Sequence, residues 1–296
     1  MVRAVWRHTE GSRNRAARNT KQNVPFLLKE ANLNLKPLFI PDSDEYELYD
    51  LDIKNAEMRI LCAYSQDQTL IDAFNNGMDI HSLTASNISG YSYDEIRAGK
   101  DEKGSEPEIL RSMAKKLNFG IIYGIGAASI AEQANSEMGT NMTEEDAQGY
   151  MDKFFENYPG VNDYMEATHD FLQKYSFVYT YTGRRRRFGM AGFTQQIKSR
   201  SMRQAINSRI QTTSADLVND NIVELDNHIQ PLGGRVLLTV HDSILFQLPK
   251  GTTGVKELLD YVITDKTQEK FPWLPVLWTY DVGKGPNYGE CDEEIV

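Results

Sequence analysis

The chain has 296 residues, 40% of them hydrophobic and 25% charged, with a formal net charge of -10. Those values fit one large folded domain or two small ones, and disorder is not the default. Two cysteines far apart in sequence, Cys62 and Cys291, exclude a disulfide framework and a zinc knuckle, and no run of about 18 apolar residues is present to span a membrane.

A reducing cytoplasm is the simpler location. The amino-terminal arm carries Arg3, Arg7, Arg13, Arg15, Arg18 and Lys21 against Glu10 alone, a bias that superficially suits a transit peptide. Further basic residues cluster at Arg184 to Arg187 and around Lys198, Arg200, Arg203 and Arg209. Such segregation is compatible with a phosphate-binding groove on an acidic body, and equally with a salt-bridged surface.

Taken along the chain, residues 46–53 alternate as a strand that puts Asp50 and Asp52 on one face, and helix-favouring sequence follows from about 55 to 64. A helix is predicted over 107–122, with Pro107 in its first turn and Gly124 beyond its end. Residues 143–175 read as mostly helical with a break at Tyr158-Pro159-Gly160, and Thr182-Gly183 reads as a turn between short strands. A further helix is expected from 204 to 227. The apolar run 235–248 predicts a hairpin with His241, Asp242 and Ser243 at its turn. The fold class is α+β.

Phosphoryl transfer by two divalent ions needs carboxylates projecting from rigid elements, and Asp52 at a strand end with Asp242 at a hairpin tip could supply them if their strands are neighbours. Among 42 acids such a pair alone is a weak signal. The 107–122 helix adds a pattern. Arg111, Lys115, Phe119 and Tyr123 recur every four residues, so two cations and two aromatics share an arc of about 120°. That face suits a nucleotide triphosphate, while an amphipathic helix with its aromatics in the core gives the same pattern.

The run Arg111-Ser-Met-Ala-Lys115-Lys-Leu-Asn118-Phe119-Gly120-Ile-Ile-Tyr123-Gly124 resembles the fingers-helix motif of family A (DNA polymerase I-like) DNA polymerases. In the family's order, Asp52 with Glu57 and Arg59 resembles the first catalytic palm motif, and Val240-His241-Asp242 the second. Lesser signatures agree: Arg13 with Gln22-Asn23-Val24-Pro25, Asp79-Ile80-His81, Tyr158 to Val161, Arg203 through Asn207, Gln211 and Asp216, and Val282 to Tyr288. The resemblance runs from about Arg13 to Tyr288, so no room is expected for a separate transit peptide unless its removal spares Arg13.

The resemblance implies a palm, an antiparallel sheet backed by helices, over 1–75 and 201–296, and a helical fingers subdomain over 76–200. No thumb or exonuclease domain is expected within the chain, so a split enzyme of phage type completed by a separate thumb/exonuclease polypeptide is expected. The implied function is template-directed DNA synthesis from deoxynucleoside triphosphates on primer-template DNA, with no membrane involved. Two Mg2+ ions, Mn2+ being an alternative, are implied at Asp52, Asp242 and the backbone carbonyl of Ile53. Lys115, His81 and Arg111 are implied to hold phosphate oxygens, Lys115 also to donate a proton to pyrophosphate. Glu57 with Tyr123 is implied to exclude a 2′-hydroxyl, and Phe119 to disfavour dideoxynucleotides. Arg13, Gln22, Asn23, Arg203, Asn207, Gln211 and His241 are implied to face primer and template.

Two departures stand out. Ser243 occupies the place of a family glutamate after the second aspartate, and Asp50, about 6.5 Å from Asp52 by strand rise, is expected to replace that carboxylate in part. Arg184 to Arg187 overfills the family's Gly-Arg-Arg turn and is expected at template phosphate or as a solvated basic turn. Competing expectations are a catalytically inactive, polymerase-derived DNA-binding subunit, and a single-subunit RNA polymerase, against which Glu57 and the Gln22-Asn23 signature argue.

Overall fold

Alternation of large apolar with polar residues makes Tyr46–Ile53 a strand, β1, in which Leu48, Tyr49, Leu51 and Ile53 are all buried. The computed structural model describes residues 35–189 and 195–295. After β1 come seven helices before Tyr158: α1 (Ala56–Ser65), α2 (Gln68–Asn75), α3 (Ile80–Ile88), α4 (Tyr93–Gly99), α5 (Glu106–Tyr123), α6 (Ala127–Met138) and α7 (Glu144–Asn157). Then follow α8 (Pro159–Tyr175), the short strands β2 (Phe177–Tyr179) and β3 (Arg185–Arg187), and α9 (Gln195–Ile229). The chain ends with β4 (Arg235–Val240), β5 (Ser243–Pro249), α10 (Val255–Leu259), a π-helical turn at Asp260–Asp265, α11 (Lys266–Lys270), β6 (Tyr280–Gly285) and β7 (Glu293–Glu294).

The described residues form two compact units: 35–56 with 215–272 and 278–295, and 57–189 and 195–214 with 273–277. The first holds a five-stranded sheet of order β4-β5-β1-β6-β7. Its pairings are antiparallel throughout. The 215–229 part of α9 is tied to the sheet where the Val236 amide donates to Asp226 Oδ1 at 3.0 Å. Inside the same unit the fully buried Trp278 donates to Asn221 Oδ1 at 2.8 Å, and Asn221 donates to Thr267 Oγ1 at 2.7 Å, so the buried polar groups of two helices and the segment before β6 satisfy one another. Gly285 is dictated by proximity, because a Cβ there would lie 1.8 Å from the carbonyl oxygen of Glu290.

The second unit is helical apart from the β2-β3 ribbon. Its helices start where side-chain caps are available. Asp67, Asp79 and Ser105 accept amide hydrogen bonds at the starts of α2, α3 and α5, and Ser92 and Thr143 form capping boxes on α4 and α7. Pro159 opens α8 where the sequence predicts a break. The Tyr158 signature is structural here: its ring is fully buried, its hydroxyl lies 3.1 Å from Thr84 Oγ1, and the Gly160 amide donates to Asp67 Oδ2 at 2.9 Å. Among the described residues no helix is long and apolar enough to cross a membrane. Cys62 and Cys291 are both free thiols.

Candidate functional site

In the sheet unit, β1 lies between β5 and β6, so Asp52 near its end is flanked by Ser243 on one side and Asp281 on the other. The β4-β5 connection is a tight turn of two residues, His241 and Asp242. His241 holds a left-handed φ of 58°, uncommon without a glycine and consistent with a turn held in place by its surroundings. The Ile53 amide donates to the Asp242 carbonyl oxygen at 3.3 Å, which fastens the turn to the end of β1. Two acids 190 positions apart are thereby neighbours.

Their charges interact. Partial desolvation, with the charges of Asp242, Asp50 and Asp281, pushes Asp52 up to about 6 although its side chain remains accessible, and Lys36 only partly opposes this. A pair of carboxylates under mutual repulsion, beside the backbone at Ile53, is a donor set suited to a hard divalent cation. Among the described residues no group of three or more His, Cys, Asp or Glu side chains is arranged to hold a metal, so the fit rests on this pair and backbone oxygen.

Asp50 is engaged elsewhere on the same strand face. Ser243 Oγ donates to Asp50 Oδ1, and Lys36 Nζ lies 3.9 Å from Asp50 Oδ2 and 4.3 Å from the centroid of the Tyr288 ring. Ser243, whose register partner is Asp52, is thus bridged to the carboxylate two residues along the same strand.

In the helical unit, α5 buries Met113, Ala114, Leu117, Asn118, Ile121 and Ile122, and leaves Arg111, Lys115, Phe119 and Tyr123 at least partly accessible. The four-residue stripe therefore faces outward, and the core reading of its aromatics does not hold. Arg111 Nε donates to Asp79 Oδ2 at 2.6 Å, and Asp79 also caps α3 through the His81 amide and accepts from Ser82 Oγ. Burial alone would raise Asp79, but the hydrogen bonds from Arg111 and Ser82 hold it at about 2. His81 is buried at 3% exposure, 2.9 Å from Asn118 Nδ2 through its Nδ1 and with its ring centroid 5.7 Å from that of Phe119. Burial, with Arg111 and Lys115 nearby, lowers His81 to about 4, so the imidazole is neutral near pH 7 and has one N–H to donate.

At the other end of α5 the Tyr123 hydroxyl donates to the Glu57 carboxylate, 3.0 Å from each oxygen, and Gln211 Nε2 lies 3.5 Å from Glu57 Oε1 and 3.4 Å from Tyr123 Oη. Gly124 ends the helix at φ 66°, and a Cβ there would meet the Arg203 side chain at 2.5 Å, so Arg203 lies against the α5 terminus. Arg203, Asn207 and Gln211 repeat at helical spacing along α9, with Asn207 buried. Within this unit the structure brings together Glu57, Tyr123 and Gln211, and separately Arg111, His81 and Phe119 around Asp79 and Asn118. Arg13, Gln22 and Asn23 lie outside the described residues. Sequence reasoning missed Asp79 as the anchor of Arg111, although its place two residues before a histidine expected to contact ligand and its helix-cap chemistry were signals for it.

The sheet unit carries an acidic pair at a strand end, and the helical unit carries a cationic and aromatic face. The solved POL domain of Pol1 from M. smegmatis, in complex with DNA primer-template and dNTP, is similar to this chain at a TM-score of 0.72 and 31% identity, over 86% of this chain and 41% of that one. DNA polymerase I of Mycobacterium bovis is 30% identical over 90% of this chain, and that of Lactococcus lactis subsp. lactis 31% identical over 91%. The chain spans 28% and 29% of the length of these two relatives. The family model for DNA polymerase family A matches residues 9–290, and the chain belongs to that family.

Proposed function

We propose that the chain is the catalytic core of a template-directed DNA polymerase that adds deoxynucleotides to a primer 3′-hydroxyl. The observation that carries this is the adjacency of Asp52 and Asp242, fixed by the Ile53 to Asp242 backbone hydrogen bond. Asp52, Asp242 and the Ile53 carbonyl would hold two Mg2+ ions, or Mn2+, which when bound supply activation of the 3′-hydroxyl and charge neutralisation at the leaving pyrophosphate. The chain's own residues position and discriminate. Lys115 is exposed and forms no ion pair among the described residues, so its ammonium is available to a triphosphate and to protonate pyrophosphate. Arg111 is oriented by Asp79, and the neutral His81 offers one N–H from beneath Phe119. Arg203, Asn207, Gln211 and His241 are assigned to primer and template, where minor-groove acceptors common to all base pairs test shape without reading sequence.

Primer extension with each nucleotide type, in magnesium, tests the assignment. Deoxynucleotide-specific, template-directed extension is expected from the chain and none from Asp242→Ala; equal DNA binding by both with extension by neither would favour an inactive DNA-binding subunit instead. The chain corresponds to under a third of its relatives' length, so the grip that a thumb gives on duplex is proposed to come from outside these residues, in the same polypeptide or in a separate thumb/exonuclease chain of a phage enzyme.

Two smaller effects follow from the geometry. Phe119→Tyr places a hydroxyl on the accessible face and is expected to raise dideoxynucleotide use roughly ten- to hundred-fold, the worth of one hydrogen bond to a charged group, about 1.5–3 kcal/mol; equal terminator sensitivity in competition assays contradicts it. Asp50 is assigned a supporting role, acting on the acidic pair through charge and through Ser243. Asp50→Asn is expected to shift the magnesium requirement upward several-fold, and an unchanged magnesium titration and rate remove that role.

A further inference from the structure

Asn118 stands between Lys115 and Phe119 in the α5 sequence, yet its amide is wholly buried. Its buried neighbours along the helix, Met113, Ala114, Leu117, Ile121 and Ile122, are all apolar. Asn118 Oδ1 has no hydrogen-bond partner there. A buried acceptor left unsatisfied costs about 1–3 kcal/mol, which an apolar side chain would avoid. What the amide provides, and an apolar side chain could not, is Nδ2 at 2.9 Å from His81 Nδ1.

That contact has a chemical consequence. An amide nitrogen carries N–H groups and no available lone pair, so His81 Nδ1 has to accept. Burial, with Arg111 and Lys115 nearby, keeps the imidazole neutral near pH 7, and a neutral ring has a single N–H. With Nδ1 accepting, the proton resides on Nε2, which has no hydrogen-bond partner among the described residues. The remainder of the histidine is held separately: its backbone amide donates to Asp79 Oδ1 at 3.2 Å, and its ring lies at 46° to that of Phe119. Asp79 and Phe119 thus fix where the ring sits, and Asn118 fixes which nitrogen is protonated. The distinction matters for an anion, because phosphate oxygens only accept, and a lone pair on Nε2 would repel them. Turning the amide over would produce that unfavourable form, with Nδ1–H donating to Oδ1 and Nε2 left as an acceptor.

We propose that Asn118 is a positioning residue that sets the His81 tautomer, keeping the ring proton on Nε2 so that His81 donates to a phosphate oxygen of the incoming triphosphate. The triphosphate as acceptor rests on the polymerase reading; the tautomer does not.

Nitrogen NMR of the full chain, isotope-labelled at histidine and free of substrates near neutral pH, tests the proposal, with the His81 signals identified by their loss in His81→Ala. A protonated Nε2 and an unprotonated Nδ1 are expected in the parent. A proton on Nδ1, or an even mixture of the two forms, overturns the proposal without recourse to a variant that has to fold. Asn118→Asp replaces the donor by a carboxylate that Arg111 and Lys115 help to keep ionised, and is expected to bring a proton onto Nδ1; an Nδ1 that stays unprotonated there shows that position 118 does not set the tautomer. In primer extension Asn118→Leu is expected to raise the KM for deoxynucleotide several-fold, but to change it by no more than about two-fold when His81 is already alanine. An unchanged KM, or equal penalties in the two backgrounds, overturns the action of Asn118 through His81. A parent chain that shows the Nε2–H form and extends no primer contradicts the polymerase reading and leaves the tautomer assignment standing.

Discussion

Replacing either Asp52 or Asp242 by asparagine is expected to lower the rate of nucleotide incorporation by at least about 10³-fold, about 4 kcal/mol of transition-state stabilisation, with primer-template binding little changed. Each amide keeps the shape of the strand end or turn and removes one of the two negative charges that a divalent ion needs. The same charges disfavour the folded chain when no ion is present. Asp52 is held at about 6, above the ordinary carboxylate range, foremost by burial and then by Asp242, Asp50 and Asp281. A raised carboxylate means that the folded state binds the proton more tightly than the unfolded state. The ionised group therefore opposes folding above pH 6, and that penalty fades as pH falls from 6 towards 4. Asp52→Asn is thus expected to stabilise the metal-free chain at pH 8 by about 1 kcal/mol, discounted for solvent screening at an exposed side chain, which raises Tm by about 2 °C. The gain is expected to shrink at pH 5. A variant that retains rapid incorporation, or that melts lower at pH 8, contradicts the assignment of Asp52.

Glu57→Ala is expected to raise ribonucleotide use relative to deoxynucleotide use by on the order of 10²-fold, because a carboxylate already satisfied by the Tyr123 hydroxyl offers a 2′-hydroxyl no suitable partner and little space. The change also releases Tyr123 and Gln211 from their shared acceptor, so incorporation of deoxynucleotides is expected to fall several-fold. Glu57→Gln keeps the size of the side chain and is expected to lie between alanine and the parent. Steady-state incorporation with paired ribo- and deoxynucleotides on one template measures both effects, and an unchanged ratio in the alanine variant rules out Glu57 as the sugar-selecting group.

The elements most legible in the sequence are those whose pattern is set locally. β1 alternates, the 235–248 run is apolar on both sides of a polar tip, and α5 opens with Ser105 and Pro107 and ends at Gly124, so the expected bounds of each lie close to the observed ones. β6 is not legible as a strand. Gly283, Gly285 and Pro286 read as loop, and these glycines exist because the backbone of 290–292 crosses the strand too closely for any side chain. Long-range proximity, rather than strand propensity, decides that element.

The candidate site divides in the same way. The sequence offers Asp52 and Asp242 as ends of two strands that could be neighbours, and α5 as a period-four stripe whose outward or inward facing it leaves open. The engagement of Asp50 by Ser243 and Lys36 depends on register between β1 and β5 and on the turn at Lys36–Leu38, neither of which periodicity reveals. The burial of His81 is likewise tertiary: its motif marks it as important, while its neutrality follows from packing against Asn118 and Phe119.

Asp52 and Asp242 are expected to share divalent ions, which is measured most directly as the stoichiometry of Mn2+ bound to the chain with primer-template and a non-hydrolysable deoxynucleotide analogue, followed by electron paramagnetic resonance. Two ions per chain are expected for the parent, with loss of at least one in both Asp52→Asn and Asp242→Asn. Equal Mn2+ binding by all three proteins contradicts the account.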